Sequence, residues 1–234
     1  MSTLRLRLAG PLQAWGAHSR FVRRATETAP TKSGIIGLLA AAQGRRRTDD
    51  VTDLCGLRFG VRADQPGRLL RDFQTARSLD GARSFPLSYR YYLTDAVFLA
   101  VVEGADALLT GLDEAVRSPH FPLYLGRRSC PPAGPISLGV HPGDLNHALA
   151  TTEWQASAGQ QRQIGAATVW LDTVRDAGPQ GQGGAVETVR DEPLSFDPAR
   201  REYGWRTVAR GRVSVANPHA PQIPEHDPLA VVGG

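Results

Sequence analysis

The sequence predicts an α+β protein, on three observations. Several short runs alternate apolar with polar residues, the period of a half-buried strand. Two longer runs repeat their apolar residues at helical spacing. From Leu4 to Val140 the two kinds follow one another as strand, helix, strand, strand, helix, strand. That βαββαβ order is the split βαβ, or ferredoxin-like (RRM-like), arrangement shared by many RNA-binding domains. The expected organisation is a ferredoxin-like domain over residues 1–140 carrying a basic thumb hairpin near 76–92. A smaller β-rich C-terminal part over 141–216 and a proline-rich tail over 217–234 follow.

In the first strand Leu4, Leu6 and Leu8 alternate with Arg5 and Arg7, and Gly10-Pro11 ends it. The loop over residues 9–30 carries Gln13, Trp15, His18, Arg20, Phe21, Arg23 and Arg24. Aromatic rings interleaved with guanidinium groups suit an RNA strand, the rings for stacking and the cations for phosphates. The plain alternative is that Trp15 and Phe21 cover the edge of the sheet. Ile35, Ile36, Leu38, Leu39 and Ala42 then recur at helical spacing, with Thr31 as N-cap and Gly44 as stop. Gly34 and Gly37 weaken that helix, which implies close approach to a neighbouring backbone. The free amides at its start, beside Thr31, Lys32 and Ser33, would suit a phosphate. They are not a Walker A loop, because the glycines that motif needs before its lysine are absent.

Arg45, Arg46 and Arg47 oppose the helix dipole, and Asp49, Asp50 and Asp53 partly offset them. Leu54 to Ala63 reads as a second strand and, after the Pro66-Gly67 turn, Arg68 to Thr75 as a third. Residues 76–90 are polar and arginine-rich, with a turn at Asp80-Gly81, and lead into one apolar strand, YYLTDAVFLAVVEG. Arg77, Arg83 and Arg90, with Phe85, Tyr89, Tyr91 and Tyr92, give this protrusion nucleic-acid character. Ala105 to Arg117 is an amphipathic helix built on Leu108, Leu109, Leu112 and Val116. Gly126, Arg127 and Arg128 form a glycine-basic turn before a strand near Ile136 to Val140. Beyond it, Leu145 to Trp154 reads as a short helix. Ala167 to Val174, Ala185 to Val189 and Trp205 to Val215 read as strands, the first two joined by a glycine-rich hairpin tip.

The 234 residues, 41% of them hydrophobic, can bury a substantial core. No apolar run is long enough for a membrane span, and the chain opens on a strand pattern, so the cytoplasm is the expected location. Cys55 and Cys130 make neither a disulfide framework nor a metal site, and no cofactor is expected. The formal net charge is +4, and Lys32 is the only lysine. A GC-rich genome produces the same arginine bias, yet arginine also suits forked contacts to phosphate.

Taken together, LRLAGPLQAWG with SRF, PTKSGIIGLLAAAQGRR, DFQT, YRYYLTDAVF, PLYLGRRSCPPAGPI, and VRDEPLSF followed by YGWRTV carry a family likeness from Leu4 to Val208. The chain resembles the CasD-type subunits of type I-E CRISPR Cascade complexes, members of Cas family five in the RAMP superfamily. The resemblance implies a ferredoxin-like domain with an inserted thumb and a reduced C-terminal part. It implies a subunit that caps the 5′ handle of the CRISPR RNA, abuts the repeated backbone subunit and meets the large subunit. Target DNA would be read through the assembled complex by base pairing of the guide. The positions matching the family's first-loop and first-helix motif are Gln13, Trp15, Gly16, Ser19, Arg20, Lys32 and Ser33. The thumb adds Arg77, Arg83, Arg90 and Tyr91, and the glycine-basic loop adds Arg127 and Arg128. Nothing is carried over at the glycine-rich loop near Gly181 or in the tail.

Metal-free RNA cleavage wants a general acid or base near neutrality and a cation for the developing charge. His18, His120, Tyr91 and Tyr92 are of the right types, but no spacing ties them together. His141 and His147 flank Asp144 without matching a metal motif. The resemblance assigns cleavage to a separate subunit of Cas family six. The favoured reading is therefore a non-catalytic RNA-binding subunit. Its alternatives are a metal-independent endoribonuclease that processes repeat RNA, and a protein-interaction scaffold without direct RNA contact.

Overall fold

The computed structural model describes residues 1–16, 23–178 and 185–221. β1 (Ser2–Ala9) buries Leu4, Leu6 and Leu8, as their alternation with arginine requires. The chain then steps aside into the short strands β2 (Leu12–Gln13) and β3 (Arg23–Arg24). In α1 (Lys32–Ala42) the Thr31 hydroxyl accepts a hydrogen bond from the Gly34 amide, the expected N-cap. At the other end Gly44 has φ +81°. The amides of Gly44 and Arg45 reach back to the carbonyls of Ala41 and Ala40, a Schellman stop. The close approach at Gly34 is to an indole rather than to backbone: a Cβ there would lie 2.8 Å from Trp15 Cε3.

α2 (Thr52–Cys55) and β4 (Arg58–Gln65) divide a stretch expected to be one strand. Asp50 accepts from the Thr52 amide at 3.0 Å and nucleates that helical turn locally. A second correction follows at the next strands. β5 (Arg68–Gln74) does not join the main sheet but pairs with β6 (Ser88–Thr94), from Arg68 opposite Thr94 to Gln74 opposite Ser88. The apolar run expected as one strand breaks at Asp95, whose φ of 54° lets β6 turn into β7 (Val97–Gly104). The projecting hairpin thus spans residues 68–94.

α3 (Asp106–Arg117) buries Leu109, Leu112 and Val116, and β8 (Ser137–Pro142) follows it. α4 (Leu145–Thr151) starts at Asp144, whose carboxylate accepts from the His147 amide. α5 (Ala158–Ile164) has only Gln161 buried, which is why no apolar period announced it. β9 (Thr168–Asp176), β10 (Ala185–Ser195) and β11 (Glu202–Ala216) complete the described elements.

The fold is α+β. Its main sheet runs β10-β11-β9-β4-β7-β1-β8, every pair antiparallel, so the C-terminal strands continue the N-terminal sheet across β4 and β9. β2, β3 and β5 gather around β6 in a second sheet. β7 is buried on both faces. Phe98, Ala100 and Val102 pack with α1 and α3, while Leu99 and Val101 pack with Leu145, Ala148 and Leu149 of α4. Under α4 lies Arg62, fully buried, which pairs with both carboxylate oxygens of Asp64 and donates to the carbonyls of Leu149, Thr152 and Glu153. No helix among the described residues is long and apolar enough to cross a membrane.

Candidate nucleic-acid interface

The residues expected at the interface divide into two groups. Gln13 is fully buried. Its amide nitrogen donates to the carbonyls of Leu8 (3.0 Å) and Ala96 (2.7 Å), and its oxygen accepts from Trp15 Nε1 at 3.1 Å. Trp15 is buried beneath α1 at Gly34. Both side chains therefore brace the root of the first loop and present nothing outward, a correction to their expected contact with RNA. Gly16 is exposed at the loop's edge. Ser19 and Arg20, with His18 and Phe21, lie outside the described residues.

The phosphate expected at the start of α1 is replaced by carboxylates from the far end of the chain. The Lys32 amide donates to Asp191 Oδ2 at 2.9 Å, and its buried ammonium lies 3.0 Å from Glu192 Oε1 and 3.5 Å from Asp176 Oδ2. Arg206 closes the cluster, with Nε 2.5 Å from Asp191 Oδ1 and Nη1 2.6 Å from Asp176 Oδ1. Burial works against the charge of Arg206. The hydrogen bonds and charges of Asp191 and Asp176 outweigh it and hold the guanidinium above its ordinary pKa. Two cations thus meet three carboxylates where α1 meets β9, β10 and β11, and the Lys32 ammonium is engaged by Glu192 and Asp176 there. Ser33 sits beside this cluster, its hydroxyl 3.3 Å from that of Thr31.

The hairpin is built the other way. Arg68, Arg71, Arg77 and Arg83 are exposed, as are Leu69, Phe73 and Phe85. Its tip is held by Asp80, which accepts from the Ser78 hydroxyl and from the Ala82 amide at 3.0 Å, and by Gly81 at φ +72°. The Ser78 bond holds the Asp80 carboxyl below the usual range. Arg71 lies 5.3 Å over the Tyr89 ring. Arg90 is half-buried, and its Nε is enclosed without a hydrogen-bond partner. Tyr91 is half-buried beside it on β6. A cleft of about 240 Å³ opens at this hairpin, lined by Leu70, Arg71, Gln74, Tyr92 and Ser129.

The glycine-basic turn splits its two arginines. Gly126 has φ +89°, and a Cβ there would collide with the Ala14 carbonyl at 1.7 Å, so only glycine fits. Arg127 turns inward, donating to the carbonyls of Tyr91, Arg24 and Ala25 and stacking 4.9 Å over Tyr92. It clamps the second sheet. Arg128 is exposed. Of the groups considered for cleavage, Tyr92 is buried under Arg127, and His120 packs on Gly44 and edge-on against Phe121. His141 Nε2 lies 3.0 Å from the Leu138 carbonyl. Among the described residues no group of three or more His, Cys, Asp or Glu side chains could hold a metal ion.

The chain as a whole is similar to known proteins. The family model described as CRISPR-associated protein (Cas_Cas5) matches residues 3–209. The chain belongs to the Cas5 family. Within it the chain is CasD-like: it is 39% identical over 160 residues to the CRISPR system Cascade subunit CasD of Escherichia coli (strain K12), covering 59% of this chain and 71% of that one. A chain in the structure of a CRISPR RNA-guided surveillance complex superposes with TM-score 0.75 at 32% identity, over 95% of both chains. The crystal structure of a Cas protein superposes with TM-score 0.70 at 37% identity, over 95% of this chain and 99% of that one. Two features of this Cas5 chain escaped sequence reasoning, the Lys32–Arg206 ion cluster and the stacking of Arg190 over the Trp205 ring. Arg190, Asp191, Glu192, Trp205 and Arg206 lie in VRDEPLSF and YGWRTV, stretches visible as family likeness that offered no periodicity to tell contact from scaffold.

Proposed function

We propose that this Cas5 chain is a non-catalytic RNA-binding subunit of a type I-E Cascade complex. It caps the 5′ handle of the CRISPR RNA, contacts the backbone and large subunits, and meets target DNA through the assembled complex in the cytoplasm. The observation that carries this reading is the likeness, at TM-score 0.75 over 95% of the chain, to a chain of an RNA-guided surveillance complex. The strand order β4-β7-β1-β8, with α1 after β1 and α3 after β7, supports a ferredoxin-like core. The exposed arginines and aromatics of the hairpin supply the electrostatic and stacking chemistry that single-stranded RNA requires. Direct contacts then fall to Gly16, Ser33, Arg77, Arg83, Arg90, Tyr91 and Arg128. Gln13, Trp15, Lys32 and Arg127 hold the surface in shape from beneath.

The test is incubation with end-labelled repeat RNA in the presence of chelator, read on native and denaturing gels. It uses both the isolated chain and the chain co-expressed with its backbone subunit. Shifted, intact RNA with preference for a free 5′ handle is the expected result. A discrete cleavage product would overturn the non-catalytic assignment. Failure of both preparations to retain RNA would overturn RNA binding itself.

A further inference from the structure

A second cavity, of about 360 Å³, lies where the approach to α1 faces β10 and β11. Pro30, Val61 and Val174 give it apolar walls, and Trp205, Arg190 and Arg210 also line it. Trp205 is 66% exposed, so its indole adds little to the core. It is nonetheless held in place: Arg190 lies 5.9 Å over its ring and donates through Nε to the Tyr203 carbonyl at 3.1 Å. The neighbouring Arg206–Asp191 pair ties β11 to β10, so this wall is formed in advance of any ligand. Trp170 is comparably exposed, at 68%, but lines neither cavity, and among the described residues no cation stacks on it.

The charges inside the cavity say which part of a nucleotide it takes. Asp191 and Glu27 both line it, and Asp191 already occupies the amide at the start of α1. Arg206 and Arg210 line it as well, but Arg206 is held by Asp191 and Asp176 and Arg210 by Glu187, so a phosphate within would have to displace a carboxylate from its partner. A flat, uncharged base meets no such penalty, and its exocyclic amino or imino groups are donors for carboxylate or carbonyl oxygens. Arg190 is exposed and suited to the phosphate that follows the base. The volume falls near the low end of small-molecule sites, about 300–1,000 Å³, which suits one base rather than a folded partner.

We propose that this cavity is a base-binding subsite, in which one unpaired nucleobase of the guide RNA stacks on Trp205 with its phosphate at Arg190. The proposal rests on the RNA-binding reading above and adds to it a site on the C-terminal strands, distant in sequence from the hairpin. The test measures anisotropy of labelled single-stranded repeat RNA across a salt series, using whichever of the two preparations binds. Trp205→Ala should weaken binding roughly 5- to 150-fold, the range for loss of one stacked base. The salt slope should stay unchanged, because stacking releases no counterions. Trp205→Phe should retain most of the affinity, and Trp170→Ala all of it. As a measurement independent of any loss of folding, RNA should quench the indole fluorescence of Trp170→Phe but not of Trp205→Phe. Binding that is indifferent to Trp205, with equal quenching in both variants, would overturn the subsite while leaving RNA binding intact. Failure of the unaltered chain to bind in either preparation would overturn both.

Discussion

The seam between α1 and β9–β11 and the hairpin β5–β6 both carry cations, and they differ in what surrounds them. At the seam Lys32 and Arg206 are enclosed with Asp176, Asp191 and Glu192, and each cation has at least two carboxylate partners. On the hairpin Arg77 and Arg83 face water, and Asp80 is taken up by its own turn. The sign of the charge is the same; the supply of carboxylates and the burial are not. A guanidinium with buried acidic partners is a tie between strands, and one without them is available to a polyanion.

The sharpest way to break this comparison is at Arg206. Arg206→Ala leaves Asp176 and Asp191 in a mostly buried setting with Lys32 as a cationic neighbour and should lower the unfolding free energy by about 3–5 kcal/mol, as removal of one partner of a buried pair does. Urea denaturation reads it, and a loss below about 1 kcal/mol, the range of exposed pairs, would place the seam with the surface. Gln13→Ala comes next. It leaves the Leu8 and Ala96 carbonyls and the Trp15 indole N–H without their partner, each such loss amounting to about 1–3 kcal/mol. Weaker RNA binding with unchanged stability would instead return Gln13 to the interface.

On the hairpin the expectation reverses. Arg77→Ala with Arg83→Ala should leave stability within about 0.5 kcal/mol of the parent. The slope of log affinity against log salt should flatten by about 0.7 per lost phosphate contact on a single strand. An unchanged slope would remove both arginines from the RNA surface. The smallest effect belongs to a pair between the two extremes. Arg45 donates to both oxygens of Asp53, at 2.5 and 2.6 Å, and this bond holds the Asp53 carboxyl below its ordinary pKa. The folded pKa lies below the unfolded one of about 3.9, so the contribution is full above that value and fades as pH falls through the folded pKa. Half exposure of Asp53 limits it to a few tenths of a kcal/mol. Asp53→Asn should show that small loss at pH 7 and none in strong acid, measured by denaturation at both.

Much of the frame is legible in the chain alone. β1 follows from leucines alternating with arginines, α1 from a capping threonine and a stopping glycine, and α3 from its leucine stripe. Each of these signals is complete within about four turns of helix or one strand, where neighbours in sequence are neighbours in space. The Asp80-Gly81 turn is legible for the same reason. The break at Asp95 is not, because a single left-handed aspartate in an apolar run leaves the period-two pattern undisturbed on either side.

What the sequence by itself determined is therefore the α+β class, the order of the principal elements, the family likeness and the arginine-rich, aromatic character of the hairpin. Only the tertiary structure decided which polar residues face outward. Gln13 is satisfied by Ala96, 83 positions away, and Lys32 by Asp191, 159 positions away. Whether a lysine or glutamine binds RNA or closes a seam depends on which acceptors the fold brings to it. Those acceptors sit on strands whose place in the sheet no local pattern encodes.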